Sequence, residues 1–125
     1  MANSNQIPAL ETFLHLTECR ERTLSSNVAN VDTPGYHAKD INFQGELKKA
    51  MNAAYRPSTN GSAQLSPAVN EEQGLLERPD GNNVDMEREG MQLAQTQLQF
   101  QLGIQLIKRE FHQILSAING GGGGS

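Results

Sequence analysis

Two stretches of this chain place apolar residues in steps of three and four, the spacing that keeps them on one face of an α-helix. In the first, Leu10, Leu14, Thr17, Glu21, Leu24, Val28 and Val31 hold the heptad-like positions, apolar at both ends and polar in the middle. With Pro8 suited to a first helical turn, the pattern predicts a helix from about Pro8 to about Asn30. In the second, Leu93, Gln97, Phe100, Ile104, Ile107, Phe111, Ile114 and Ile118 step by four and three without a break, and Leu98, Leu102 and Leu106 widen the stripe on an adjoining face. Asn83 or Asp85 can cap its start, Asp85, Glu87 and Glu89 lie toward its positive end, and Lys108 and Arg109 lie toward the other. A helix from about Asp85 to Ala117 follows.

The first pattern is halted at Thr33-Pro34-Gly35-Tyr36. Pro34 biases Thr33 away from the helical well, and Pro34-Gly35 suits the central positions of a type II turn, where Pro presets φ and Gly tolerates a positive one. Beyond the turn, Ile41, Phe43, Leu47, Ala50, Met51 and Ala54 predict a short extended piece leading into a helix from about Phe43 to Tyr55. From Arg56 to Asn83 the composition turns to Pro, Ser, Asn, Gly and Glu, with Pro57, Pro67 and Pro79 breaking any period and Asn60-Gly61 and Asp80-Gly81 offering tight turns. This predicts a flexible or irregular middle. Gly120 to Ser125 has the composition of a flexible linker and reads as an added joint. The expected division is therefore an N-terminal helix over 1–33, a turn, extended piece and short helix over 34–55, a flexible loop over 56–83, a C-terminal helix over 84–119 and a linker over 120–125. The fold class is mainly α.

At ~1.5 Å per residue the C-terminal helix would extend roughly 50 Å against about 35 Å for the first. A hairpin of the two would leave Leu98, Leu102 and Leu106 partly wet, and exposed apolar area of that kind marks association surfaces. The spacing alone also fits an ordinary intramolecular core, which is its commoner use.

Composition points the same way. The chain has 125 residues, 36% hydrophobic and 5% aromatic, with no Trp, which suits one domain without a large globular core. A net charge of −4, with 14 acidic and 10 basic residues and only pairs such as Lys48-Lys49, gives a phosphate-tracking surface little to work with. No run approaches the ~18 to 20 apolar residues of a membrane span, and the first six residues lack the features of a cleaved secretory signal. Cys19, the single cysteine, sits in the first helical pattern and reads as a packing residue.

Candidate chemistry does not accumulate. His15, His37 and His112 are far apart in sequence and share no ligand spacing. Asp80-Gly81-Asn82-Asn83-Val84-Asp85 begins like a calcium loop, but Val84 and Met91 occupy ligand positions, so it reads as turn and cap. No serine elbow or phosphate loop is present, and Glu71-Glu72 and Glu87 with Glu89 are ordinary solvated or dipole-facing acids. Asn60-Gly61-Ser62 matches the glycosylation triplet, a short pattern that turn-rich segments often contain by chance. The expectation is a protein without catalytic residues, metal or cofactor.

The stretch Ser26-Asn27-Val28-Ala29-Asn30, continuing through Val31 and Asp32 into Thr33-Pro34-Gly35-Tyr36, resembles the N-terminal signature of the bacterial flagellar rod, hook and hook-associated axial proteins. The run Ala38 to Met51 and the segment Asp80 to Glu89 resemble the proximal rod member of that family. The resemblance implies N- and C-terminal helices paired as an axial, coiled-coil-like domain that packs with neighbouring subunits around a central channel. On that basis Leu10, Leu14, Leu24, Val28 and Val31, with Leu93, Phe100, Ile104, Ile107, Phe111, Ile114 and Ile118, are the expected packing and assembly residues. It also implies a place in the periplasmic rod of the flagellar basal body, reached through the flagellar type III export apparatus without a cleaved signal. The implied partners are the rod subunits FlgC and FlgF, the adapter FliE with the MS ring, and the rod cap FlgJ. Another rod protein of the family, a soluble helical adaptor or export chaperone, and a small enzyme are the alternative readings.

Overall fold

A computed structural model describes residues 6–55 and 66–123, with side chains for 7–52 and 66–120. The chain forms helix α1 (Gln6–Ala29), strand β1 (Lys39–Ile41), helix α2 (Phe43–Tyr55), strand β2 (Val69–Glu71) and helix α3 (Met86–Gly123). α1 and α3 lie antiparallel: Asn27 near the end of α1 meets Glu89 near the start of α3, and Leu14 lies over Gly103. β1 and β2 pair antiparallel, with Lys39 opposite Glu71, Asp40 opposite Asn70 and Ile41 opposite Val69.

Local signals set the boundaries. The expected type II turn is present, with the Tyr36 amide donating to the Thr33 carbonyl at 3.2 Å and Gly35 at φ 75°. Asp85 caps α3, its Oδ1 accepting from the Glu87 and Arg88 amides at 3.1 and 3.4 Å. Asn42 does the same for α2, accepting from the Gly45 amide at 3.2 Å.

The buried apolar residues among those described are Leu16, Leu24, Ala38, Ile41 and Val84. α1 is covered on two sides, by α3 and by α2 with β1, and this widens its buried face beyond one heptad line. Phe13 meets Phe43 edge to face with ring centroids 5.4 Å apart, and Arg20 reaches Asp40 of β1. Leu16, between Phe13 and Arg20 on the same helical face, is fully buried although it lies off the expected seam. Thr17 is buried with its hydroxyl donating to the Leu14 carbonyl at 2.6 Å, whereas Glu21 is exposed.

On α3 the expected seam shifts. The fully buried line steps by seven through Glu89, Thr96 and Gly103, while Gln97 faces out. Toward the middle of α3 this line carries the smaller Thr96 and Gly103, and at Gly103 α1 approaches closely: a Cβ there would stand 2.7 Å from Leu14 Cδ2. Leu93, Phe100, Ile104, Ile107 and Ile114 are half-buried, as are Leu10, Leu14, Val28 and Val31 of the opposing segment. Phe111 and Ile118 are 51% and 66% exposed, so within one chain they are not part of a buried seam. The reason is length. With Asn27 beside Glu89 and Leu14 over Gly103, the start of α1 falls level with about residue 111, and α3 runs on for roughly 18 Å beyond it.

The middle of the chain is more structured than a loop reading implies over its described part, residues 66–83. β2 is held there, and Arg78-Pro79-Asp80-Gly81 forms a turn with the Gly81 amide on the Arg78 carbonyl at 2.8 Å and Gly81 at φ 86°. Residues 56–65, which include the Asn60-Gly61-Ser62 triplet, lie outside the described residues, as do Gly124 and Ser125. α3 continues past the expected end at Ala117 to Gly123.

Candidate functional site

The signature stretch builds a polar junction between the end of α1, the turn, and the start of α3. At its centre Asn27 is fully buried and uses all four hydrogen-bonding positions of its side chain. Its Nδ2 donates to the Lys39 carbonyl at 2.7 Å and to Glu89 Oε2 at 3.0 Å. Its Oδ1 accepts from the Lys39 amide at 2.9 Å and from the Tyr36 hydroxyl at 3.0 Å. One amide thus ties α1 to both backbone groups of the first residue of β1, to the ring that follows Gly35, and to α3.

Two further asparagines close the junction from the other side. Asn82 is buried and donates to the Asn30 and Thr33 carbonyls at 2.8 and 2.9 Å while accepting from the Val84 amide at 2.8 Å. Asn83 Oδ1 accepts from the Ala38 amide at 2.6 Å, and its own amide donates to the Tyr36 carbonyl. Just past the end of α1, Asn30 Nδ2 donates to the Ser26 carbonyl at 2.8 Å, and its Oδ1 accepts from the Thr33 hydroxyl at 3.0 Å. The Ser26, Asn30 and Thr33 carbonyls each also accept a backbone amide, so the asparagine side chains supply second hydrogen bonds to carbonyls at the helix end and the turn. The guanidinium of Arg78 adds a bond to the Val31 carbonyl. Ala29 and Pro34 are exposed and Val28 is half-buried, so these signature residues sit at the rim.

Charge is placed around this network. Arg20 makes a two-pronged contact with Asp40, Nε to Oδ1 at 3.1 Å and a terminal nitrogen to Oδ2 at 3.2 Å. Arg88 reaches Glu72 at 2.8 Å. Glu89 is fully buried, and that burial raises its pKa above the usual carboxylate value, against the hydrogen bond from Asn27 that lowers it. His37 lies on the surface between Glu77 and Glu71, which raise its pKa.

The second feature is the open face of α3. Leu98 and Leu102 are 67% and 54% exposed, and Met91 and Leu106 lie exposed on the same helix, which leaves an apolar stripe outside the α1 contact. The resembling calcium loop proves to be turn and cap: Asp80, Asn82 and Asn83 spend side-chain oxygens on the Asn82, Val84 and Ala38 amides. Among the described residues no group of three His, Cys, Asp or Glu is placed to hold a metal ion, and no helix is long and apolar enough to cross a membrane. His15 and His112 are exposed, and Cys19 is half-buried in α1.

Comparison with known proteins identifies the family. The family pattern described as "Flagella basal body rod protein" matches residues 22–37, the end of α1 and the turn. The flagellar basal body rod protein FlgB of Salmonella typhimurium is 37% identical over 123 residues, covering 86% of this chain and 88% of the relative. This chain belongs to the FlgB family of flagellar basal body rod proteins. FlgB of Escherichia coli is 34% identical over 86% of the chain and 88% of its own length, and FlgB of Bacillus subtilis is 27% identical over 94% and 96%. The family match is centred on the Asn27 network. It is a family of structural rod subunits, so this chain is a structural subunit of the flagellar basal body rod and associates with other rod components.

Sequence reasoning found the α1 half of the junction and missed its α3 half. From the sequence alone Asn82, Asn83 and Glu89 read as turn, cap and helix-dipole residues, because their partners stand 45 to 62 positions away. A lone buried Glu on an otherwise polar helical turn leaves no mark in the hydropathy pattern.

Proposed function

We propose that this FlgB-family subunit assembles through its terminal helices into the proximal rod, and that it acts by packing rather than by catalysis. The axial unit comprises residues 1–33 and 84–119, and the turn at Thr33-Pro34-Gly35 directs the intervening segment outward. The exposed stripe on α3 carries this reading: among the described residues nothing covers Leu98, Leu102 and Leu106, and a neighbouring helix would. The uncovered Phe111 and Ile118 extend the α1-facing side of α3 past the end of α1 and give a further contact to a neighbouring subunit. The partners are other rod subunits such as FlgC and FlgF above, FliE and the MS ring below, with FlgJ as the cap during growth. The subunit reaches the rod through the flagellar type III export apparatus without a cleaved signal.

A photocrosslinking residue at Leu102 in a motile strain tests this. Crosslinks from Leu102 to rod subunits or FliE, with few from exposed Glu18 on α1, are the expected result. Crosslinks from Leu102 only to cytoplasmic proteins, in cells with complete rods, would overturn it and favour an adaptor or chaperone.

A further inference from the structure

Two titratable side chains flank the segment from Tyr36 to Asp40: His37, within it, faces outward to Glu71 and Glu77, and Glu89, inside, holds Asn27, whose amide in turn holds the Lys39 backbone. On the outside, His37 Nδ1 lies 3.4 Å from Glu71 Oε2 and Nε2 lies 3.1 Å from Glu77 Oε1. A carboxylate oxygen only accepts, so both contacts are hydrogen bonds only when both ring nitrogens carry hydrogen, that is, in the imidazolium. On the inside, Glu89 Oε2 accepts from Asn27 while Oε1, equally buried, has no hydrogen-bond partner.

The groups facing Glu89 make the anion costly. Asp40 of β1 is held by Arg20 of α1, and Glu72, just after β2, is held by Arg88. The Arg88 guanidinium, shared with Glu72, and the Asn27 hydrogen bond favour the anion, Asp40 and Glu72 disfavour it, and burial is the largest effect, so the net direction is toward the protonated acid. The position of Glu89 in the first turn of α3 favours an anion, but that effect is small beside burial of a carboxylate with one oxygen unsatisfied. The remaining charges around the segment are occupied elsewhere. Lys39 stands over the Tyr36 ring at 5.8 Å, Arg78 bonds the Val31 carbonyl, Asp80 holds the Asn82 amide and Asp85 caps α3.

We propose that Glu89 and His37 form a two-sided, proton-operated latch on the strap from Thr33 to Asp40, His37 fastening it to Glu71 and Glu77 and Glu89 fastening it through Asn27 to the start of α3, and that the latch loosens when the protons leave. The latch acts on the element that sets where the middle of the chain departs from the helical pair, so solution pH biases the outward path of that segment. It stands on the fold of the single chain, and its failure would leave the rod reading untouched. The pKa of Glu89 is raised above 4.5, chiefly by burial, and that of His37 above 6.5, chiefly by the hydrogen bonds to Glu77 and Glu71. A raised folded-state pKa means stability that is fully present below the ordinary value and lost as pH rises through the raised one. The latch therefore weakens on the alkaline side of both values.

The test uses the full chain. Carboxyl and imidazole resonances are followed by NMR against pH, and urea midpoints are measured over the same range for wild type, Glu89→Gln and His37→Gln. Expected are a Glu89 carboxyl that titrates above 4.5, a His37 ring that titrates above 6.5, and a wild-type midpoint that falls as pH rises through those transitions. Glu89→Gln, which mimics the neutral acid, removes the lower part of the fall, and His37→Gln removes the upper part. A Glu89 resonance that titrates at or below 4.5, or a His37 ring at or below 6.5, would overturn the latch even if a variant failed to fold. So would pH profiles in which both variants run parallel to wild type.

Discussion

Gly81 and Gly35 meet back to back: a Cβ built on Gly81 would lie 3.2 Å from the Gly35 Cα, and the Gly35 amide donates to the neighbouring Asp80 carbonyl at 2.9 Å. Both glycines hold positive φ, 86° and 75°. Two turns separated by 45 residues thus nest in each other, and this contact brings Asn82 and Asn83 against the end of α1.

Gly81→Ala is expected to destabilise the fold by roughly 2 to 3 kcal/mol, because it adds a positive-φ penalty to a clash with backbone that cannot yield. Gly74→Ala is the control. Gly74 also has positive φ, 80°, but nothing lies within 4 Å of its Cβ position, so only about 1 to 2 kcal/mol should be lost. Urea unfolding of both variants checks the order; equal losses would show that the nesting contributes nothing.

Asn27→Ala should cost about 3 kcal/mol or more, since it strips partners from the Lys39 amide and carbonyl, the Tyr36 hydroxyl and Glu89 at once. Asn27→Asp keeps the shape but replaces two donors with an acceptor facing Glu89, and should be worse still at neutral pH. The discriminating measurement is amide exchange at Lys39 and Ala38, which should rise well before exchange in the middle of α1. Uniform loss of protection along the chain would assign Asn27 a purely global role.

Local signals account for what the sequence makes legible here. The Pro-Gly turn, the Asp85 cap and the helix from Phe43 to Tyr55 depend on neighbours in the chain, and all three stand where their residue types predict. The family signature likewise marks Asn27, Asn30 and Tyr36 as special. What the pattern could not yield is set by distant partners. Thr96 and Gly103 are buried on the α1-facing side, whereas a heptad pattern favours large apolar residues and therefore marks Leu93, Phe100, Ile104 and Ile107 along its edge. β2 is three residues, Val-Asn-Glu, and all of them are exposed, so no alternation was available to reveal it. Its existence depends on β1 opposite.

The open face of α3 gives the prediction that separates folding from assembly. Leu98 and Leu102 are exposed in the single chain, so Leu98→Glu with Leu102→Glu should change monomer stability by less than about 1 kcal/mol. Ile104 is half-buried and follows Gly103, where α1 approaches closely, and Ile104→Asp should instead cost about 2 to 4 kcal/mol by placing a carboxylate at the edge of the helix contact. Both changes are expected to abolish swimming in a strain lacking the native subunit, for different reasons. The double Leu variant should be exported normally and fold as wild type but fail to enter the rod, whereas the Asp variant should show a lowered unfolding midpoint in isolation. Circular dichroism, the amount of exported subunit and swimming diameter, read together, check this. Normal motility in the double Leu variant would show that this stripe faces solvent in the rod and that contacts between subunits run through the α3 end around Phe111 and Ile118 instead.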